Sequence, residues 1–117
     1  MAKKRSFRPK SSYKRNNWAR RINDRDSPLY SNFREKVYAR DGFKCVLCKN
    51  KKNLNAHHLN GWSWCISGRY EPSNAVTLCG FCHKKFHDEY GKGKNTVYQF
   101  DDFMWRFFKM RLKDLRL

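Results

Sequence analysis

The spacing of apolar residues divides the chain into a helix, a strand and two further helices, separated by polar or glycine-containing stretches. Phe33, Val37 and Tyr38 recur at helical spacing, with Ser31 placed to cap the segment and Asp41-Gly42 placed to stop it near Arg40. Phe43 to Val46 then leads into a knuckle that presents Cys45 and Cys48. Leu54 to Leu59 reads as a strand, with Asn55, His57 and Leu59 on one face and Ala56, His58 and Asn60 on the other. Gly61 to Ser73, rich in Trp and Gly and closed by Pro72, is a loop. From Leu78 the pattern predicts a helix to about Tyr90, stopped by Gly91 and Gly93. Thr96 and Gln99 form a capping box for a last helix that runs to the C-terminus. Its Phe100, Phe103, Met104, Phe107 and Phe108 make an apolar stripe suited to packing rather than to holding a ligand. No internal repeat is visible.

Charge changes the picture from a generic small domain to one with a polyanionic partner. The chain has 117 residues, a net charge of +17 and a pI near 10.1. Such an excess favours nucleic acid, because every phosphate neutralised releases condensed counterions. A basic membrane-surface peptide would leave the cysteines unexplained. Residues 1–27 carry ten Lys/Arg against two Asp, with few aliphatic residues, and so read as a flexible basic arm. Within it, Phe7, Tyr13 and Trp18 are either scattered aromatics of a solvated tail or residues that stack or wedge against a nucleic acid. The organisation expected is an arm over 1–27, a central domain over 28–94 and a C-terminal amphipathic helix over 95–117. No run of about 18 apolar residues exists to span a membrane, and no apolar stretch follows the basic N-terminus as a signal peptide would require. A reducing, cytoplasmic location is the expectation, and there cysteine pairs bind metal more often than they form disulfides.

Cys45 and Cys48 form one Cys-x-x-Cys knuckle, and Cys79 and Cys82 form a second after 30 intervening residues. Two such knuckles account for one tetrahedral structural zinc. A redox or iron–sulfur role is not favoured by this spacing. A core of about 90 residues is marginal by itself, whereas structural zinc contributes roughly 10–16 kcal/mol in finger peptides. The fifth cysteine, Cys65 between Trp64 and Ile66, reads as a buried or half-buried bystander. The histidines are more than a structural site needs. His57 and His58 are adjacent on the strand, and His83 and His87 lie one turn apart on one helix face.

Cys45-x-x-Cys48, Ala-His57-His58-Leu, and Asn74-Ala-Val-Thr-Leu-Cys79-x-x-Cys82-His83 with His87 together resemble the HNH endonucleases of the ββα-metal (His-Me finger) fold. The stretches Phe33-Arg-Glu-Lys-Val-Tyr-Ala-Arg-Asp-Gly and Phe86-His-Asp-Glu-Tyr-Gly strengthen the likeness, which covers about residues 33–91. More narrowly, the chain is similar to small free-standing HNH proteins of phages, some of them intron-associated homing endonucleases, which act in the cytoplasm of a bacterial host. The resemblance implies a small, zinc-stabilised α+β nuclease domain with flanking helices and the basic arm. It implies that His58 is the general base and that Asn74 braces the loop between the strands. His57 and His83 would ligate one catalytic divalent metal, with His87 as an additional ligand found in some members.

The chemistry agrees with these roles. A neutral imidazole titrates close to working pH, and a divalent ion can stabilise charge on a phosphate and its departing oxygen. Magnesium, manganese, nickel, cobalt and zinc all remain open for that ion, although imidazoles at the first ligand position suit the transition metals better. Arg69, Lys84 and Lys85 are candidates for charge stabilisation, with surface solvation the simpler reading. The expected activity is hydrolysis of DNA phosphodiester bonds, by nicking or double-strand cleavage, in a monomer or a DNA-assembled dimer. A catalytically silent zinc module that only binds nucleic acid is the alternative, and charge alone does not separate DNA from RNA.

Overall fold

The structure, a computed structural model, describes residues 27–115 and Leu117. The stacking residues expected in the arm, Phe7, Tyr13 and Trp18, lie outside the described residues. The chain divides into two units, Met1–Asn32 and Phe33–Leu117, and every candidate catalytic or metal-binding residue belongs to the second.

Helix α1, Pro28–Arg40, starts earlier than its sequence pattern suggests. Ser27 rather than Ser31 caps it, its Oγ accepting from the Tyr30 N–H at 3.4 Å, and Pro28 takes the first helical position. Proline suits that place because its missing N–H would have no helical partner there. The helix buries Phe33 and Val37, while the half-buried Tyr38 donates its hydroxyl to the Leu54 carbonyl at 3.2 Å.

Strands β1, Leu54–His58, and β2, Ala75–Cys79, pair antiparallel with His57 opposite Val76 and His58 opposite Ala75. Residues 78 and 79, assigned to a helix by their sequence pattern, are therefore strand. Ala-Val-Thr-Leu-Cys is buried along its whole length, so it lacks the alternation that marks a half-exposed strand. A two-stranded ribbon leaves β2 with an open edge, which the structure closes from two sides. Asp41 accepts the Thr77 N–H at 2.9 Å, and the Val46 N–H donates to the Thr77 carbonyl at 3.0 Å. Arg40 pairs with Asp41 and also donates to the carbonyls of Pro72 and Ala75. The end of α1 and the cysteine knuckle are thereby fastened to the strand.

Helix α2, Gly80–Tyr90, follows β2 directly, with Cys79 as its N-cap. Helix α3, Val97–Phe108, carries the expected capping box, Thr96 Oγ1 accepting from the Gln99 N–H while Gln99 Oε1 accepts from the Thr96 N–H. It ends at Phe108 instead of running to the C-terminus. Lys109 takes a left-handed conformation (φ 55°), and a short 3-10 turn, Leu112–Leu115, follows. Phe100, Phe103 and Met104 are fully buried, as their stripe predicts, and Phe86 of α2 meets Phe100 and Phe103 at centroid distances of 5.7 and 5.4 Å. The C-terminal helix thus shares one apolar core with the strands and α2. The described part is a small α+β fold of a two-stranded antiparallel sheet and three helices. Among the described residues, no helix is long and apolar enough to cross a membrane.

Candidate metal centres

The first centre is built from the two knuckles. Cys45 and Cys48 sit in a turn where the Cys45 N–H donates to the Asn50 carbonyl and the Lys49 N–H donates to the Cys45 carbonyl. Cys79 and Cys82 sit across the β2–α2 junction, where Cys79 Sγ accepts from the Cys82 N–H at 3.4 Å. All four Sγ atoms lie within 4.8 Å of one another, and Cys48 and Cys79 approach to 3.5 Å. Thiolates on one zinc at about 2.3 Å would stand about 3.8 Å apart, so the spacing fits the ion.

The electrostatics fit too. Burial works to raise the Cys45 thiol, but the N–H groups of Cys48, Cys79 and Leu47 outweigh it and hold the thiol below its ordinary value. Cys82 is pushed far up, by burial first and then by the charge on Cys45, and Cys48 is raised, burial again coming first. One anion in the cluster thus opposes the next. A bound dication removes that conflict, and the four-cysteine cluster can hold a metal ion such as zinc.

The second centre lies on the face of β1 that meets α2. His57, His83 and His87 each place one ring nitrogen within 4.8 Å of the others. Nε2 of His83 and Nε2 of His87 are 3.1 Å apart, close to the roughly 3–3.4 Å between imidazole nitrogens sharing an ion at about 2.1 Å. His57 is 4% exposed, packed edge-on to Phe86 with its ring 4.8 Å away and tilted against Phe100 at 5.3 Å. Its Nε2 is buried without a hydrogen-bond partner among the described residues. A buried polar atom left so costs about 1–3 kcal/mol, which a bound cation would offset.

His87 is oriented from behind, because its Nδ1 lies 2.8 Å from the Gly91 carbonyl, which can only accept. That puts the proton on Nδ1 and leaves Nε2 with its lone pair available to a cation, an arrangement like the outer support usual for metal-bound histidines. Burial first, then His83, His87 and His58, hold the His57 imidazole well below its ordinary pKa. His83 is lowered by burial, by His87 and by Lys92. Both are therefore neutral and ligand-ready at neutral pH.

His58 is not in this cluster. Alternation along β1 turns it to the other face, where its ring stacks on Phe33 at 5.0 Å and meets Trp62 edge-on at 5.5 Å. Its Nε2 donates to the Arg69 carbonyl at 2.9 Å, so Nδ1 is the basic nitrogen of the neutral ring. Arg69 is itself held, its Nε donating to the Trp62 carbonyl at 2.9 Å and its guanidinium lying 4.7 Å over the Trp62 ring.

Asn74 ties this loop shut. Its Oδ1 accepts from the Asn60 N–H, and its Nδ2 donates to the carbonyls of Asn60 at 3.0 Å and Gly68 at 3.2 Å. A Cβ at Gly68 would lie 2.5 Å from that Nδ2, so the close approach requires glycine. The braced residue directly precedes Arg69, whose carbonyl orients His58.

The remaining expectations separate cleanly. Lys84 forms a solvent-exposed pair with Asp88 at 2.8 Å, and Lys85 lies 4.4 Å over the Phe107 ring. Lys84 follows the solvated-surface reading, whereas the half-buried Lys85 packs on an aromatic ring. Cys65 is half-buried and belongs to neither centre. Nothing in the sequence singles out the Arg69 and Gly91 carbonyls, nor Asn60 and Asn95. Backbone acceptors carry no sequence signature, although the Gly91 helix stop marked the position of one.

Comparison with known proteins adds no relative: no family model, curated protein or solved structure matches the chain.

Proposed function

We propose that this protein is a metal-dependent endonuclease of the HNH type, hydrolysing DNA phosphodiester bonds from a zinc-stabilised ββα-metal core. One observation carries the reading. Neighbouring histidines on a single strand serve two different jobs, His57 converging with His83 and His87 while His58 is held separately by a main-chain carbonyl. A purely structural metal module has no use for the second arrangement.

In this reading His58 Nδ1 takes the proton from the attacking water, and the Arg69 carbonyl stabilises the imidazolium that results. Asn74 keeps the carbonyl in place through Gly68. His57, His83 and His87 hold the catalytic ion, which when bound supplies positive charge to the phosphate and to the departing 3′ oxygen. Three protein ligands leave open positions for substrate, as a catalytic site needs. An all-imidazole set favours nickel, cobalt, manganese or zinc over magnesium. The cysteine centre holds β2 and α2 in register, and so fixes the distance between the strand and helix histidines. The charge of +17 supports a polyanionic substrate.

The test is supercoiled plasmid incubated with the purified protein, across a panel of divalent ions and with EDTA. Ion-dependent appearance of relaxed or linear DNA is the expected result. Retention of DNA without cleavage under every ion would overturn the nuclease reading and leave a binding module.

A further inference from the structure

Asn95 lies between α2 and α3 and is 5% exposed, deeper than an asparagine in a connecting turn usually sits. Its main-chain carbonyl accepts from Trp64 Nε1 at 2.8 Å and from the Gly61 N–H at 3.0 Å. Its side-chain Nδ2 donates to the Gly91 carbonyl at 3.0 Å and to Gln99 Oε1 at 3.1 Å. The Gly91 carbonyl is the same oxygen that His87 Nδ1 approaches to 2.8 Å. Its two lone pairs are thus shared between one ring N–H and one amide N–H.

Gly91 adopts φ +81° and ψ 177°, a region open to glycine and costly for other residues. Among the described residues, nothing lies within 4 Å of where its Cβ would be, so the position is open on that side. The Gly91 N–H is tied to the His87 carbonyl at 2.8 Å, and the Asn95 amide adds a side-chain hold on the Gly91 carbonyl itself.

We propose that Asn95 is a positioning residue for the second metal centre: by pinning the Gly91 carbonyl, it holds the His87 ring in the Nδ1–H tautomer with Nε2 turned toward His57 and His83. This rests on the reading of those three histidines as a metal site. Only the side-chain bonds to Gly91 and Gln99 depend on the identity of residue 95. The bonds to Trp64 and Gly61 use main chain and survive substitution. Loss of such outer support to a metal-bound histidine typically weakens metal affinity by about 10–100-fold.

The test uses the full chain carrying one equivalent of zinc, labelled with nitrogen-15 in histidine. Imidazole nitrogen shifts report the His87 tautomer, and nickel titration reports affinity at the second centre while mass spectrometry follows the zinc. Asn95→Asp replaces the donor with an acceptor facing two other acceptors. The expected result is loss of the pure Nδ1–H signature and a nickel Kd raised about 10–100-fold, with zinc content unchanged. Asn95→Ala carries the same expectation should the aspartate variant not fold. Gln99→Ala removes the side-chain half of the capping box and the Asn95–Gln99 bond but leaves the Gly91 bond, so it should lower stability without moving the tautomer. Wild-type tautomer and a Kd within twofold in the Asn95 variants would overturn the proposal. Failure of the wild type to bind nickel would overturn the metal-site reading instead.

Discussion

Nε2 of His58 lies 2.9 Å from the carbonyl oxygen of Arg69, eleven residues further along the chain. The bond decides the ring's tautomer and therefore which nitrogen can accept a proton. It also gives the His58 substitution a sharp expectation. His58→Ala should lower cleavage by about 10²–10⁴-fold while DNA affinity and zinc content stay at wild-type levels. Plasmid relaxation rates, measured beside a filter-binding isotherm, check both halves. A variant that cuts at near wild-type rate would remove His58 from the chemistry.

Asn74 acts on the same bond at one remove. Asn74→Ala deletes three side-chain hydrogen bonds around Asn60 and Gly68. The cleavage rate should fall by about tenfold or more, and stability by about 1–3 kcal/mol, with nickel affinity at His57, His83 and His87 unchanged. Urea denaturation and nickel calorimetry on one preparation separate the effects.

On the proposed reading, His57 sets stability against metal binding. Its buried, unpartnered Nε2 sits among Phe86 and Phe100. His57→Leu should therefore abolish nickel binding at the second centre, yet make the nickel-free protein about 1–2 kcal/mol more stable. Thermal melts with and without nickel provide the comparison. A nickel-dependent rise in Tm in the variant would show that His57 is not a ligand.

The same residue sets a pH dependence. Burial holds the folded His57 pKa well below its ordinary 6.5. The unfolded chain consequently binds more protons between the lowered value and 6.5. Stability from this group is complete above 6.5 and is lost as pH falls below it, by up to about 1.4 kcal/mol per pH unit. Urea midpoints of the nickel-free wild type should drop from pH 7.5 to 5.5, and the drop should be smaller in His57→Leu.

The cysteine centre should govern folding as a whole. Cys45, Cys79 and Cys82 are buried beside the core, so Cys82→Ala leaves thiolates without their ion. With roughly 10–16 kcal/mol at stake in such sites, the variant should fail to give a cooperative melt. Circular dichroism of the variant, and of wild type after chelation, tests this. A cooperative melt in either would make the centre dispensable.

Much of this was legible in the chain. Cys45-x-x-Cys48 and Cys79-x-x-Cys82 marked the first centre, because tetrahedral thiolate binding demands that local spacing. His83 and His87 at i and i+4 had to share a helix face, and adjacent His57 and His58 had to part across a strand. The Phe100, Phe103 and Met104 stripe announced its own burial. Strand β2 is not legible in the sequence, where Leu78 and Cys79 continue into the helical pattern, since a strand buried on both faces loses its alternation and its end abuts α2 directly.

Local spacing, then, was enough to mark the cysteine pairs and the histidines that converge into clusters able to hold a metal ion, because ligand pairs and strand alternation are short-range geometry. Tertiary structure alone decided what surrounds them. The carbonyls of Arg69 and Gly91 fix the tautomers of His58 and His87, and Asn74 and Asn95 hold the segments that carry those carbonyls. Every residue has a carbonyl, so no letter in the sequence marks the ones that matter. Only the folded path of the main chain brings them to the rings.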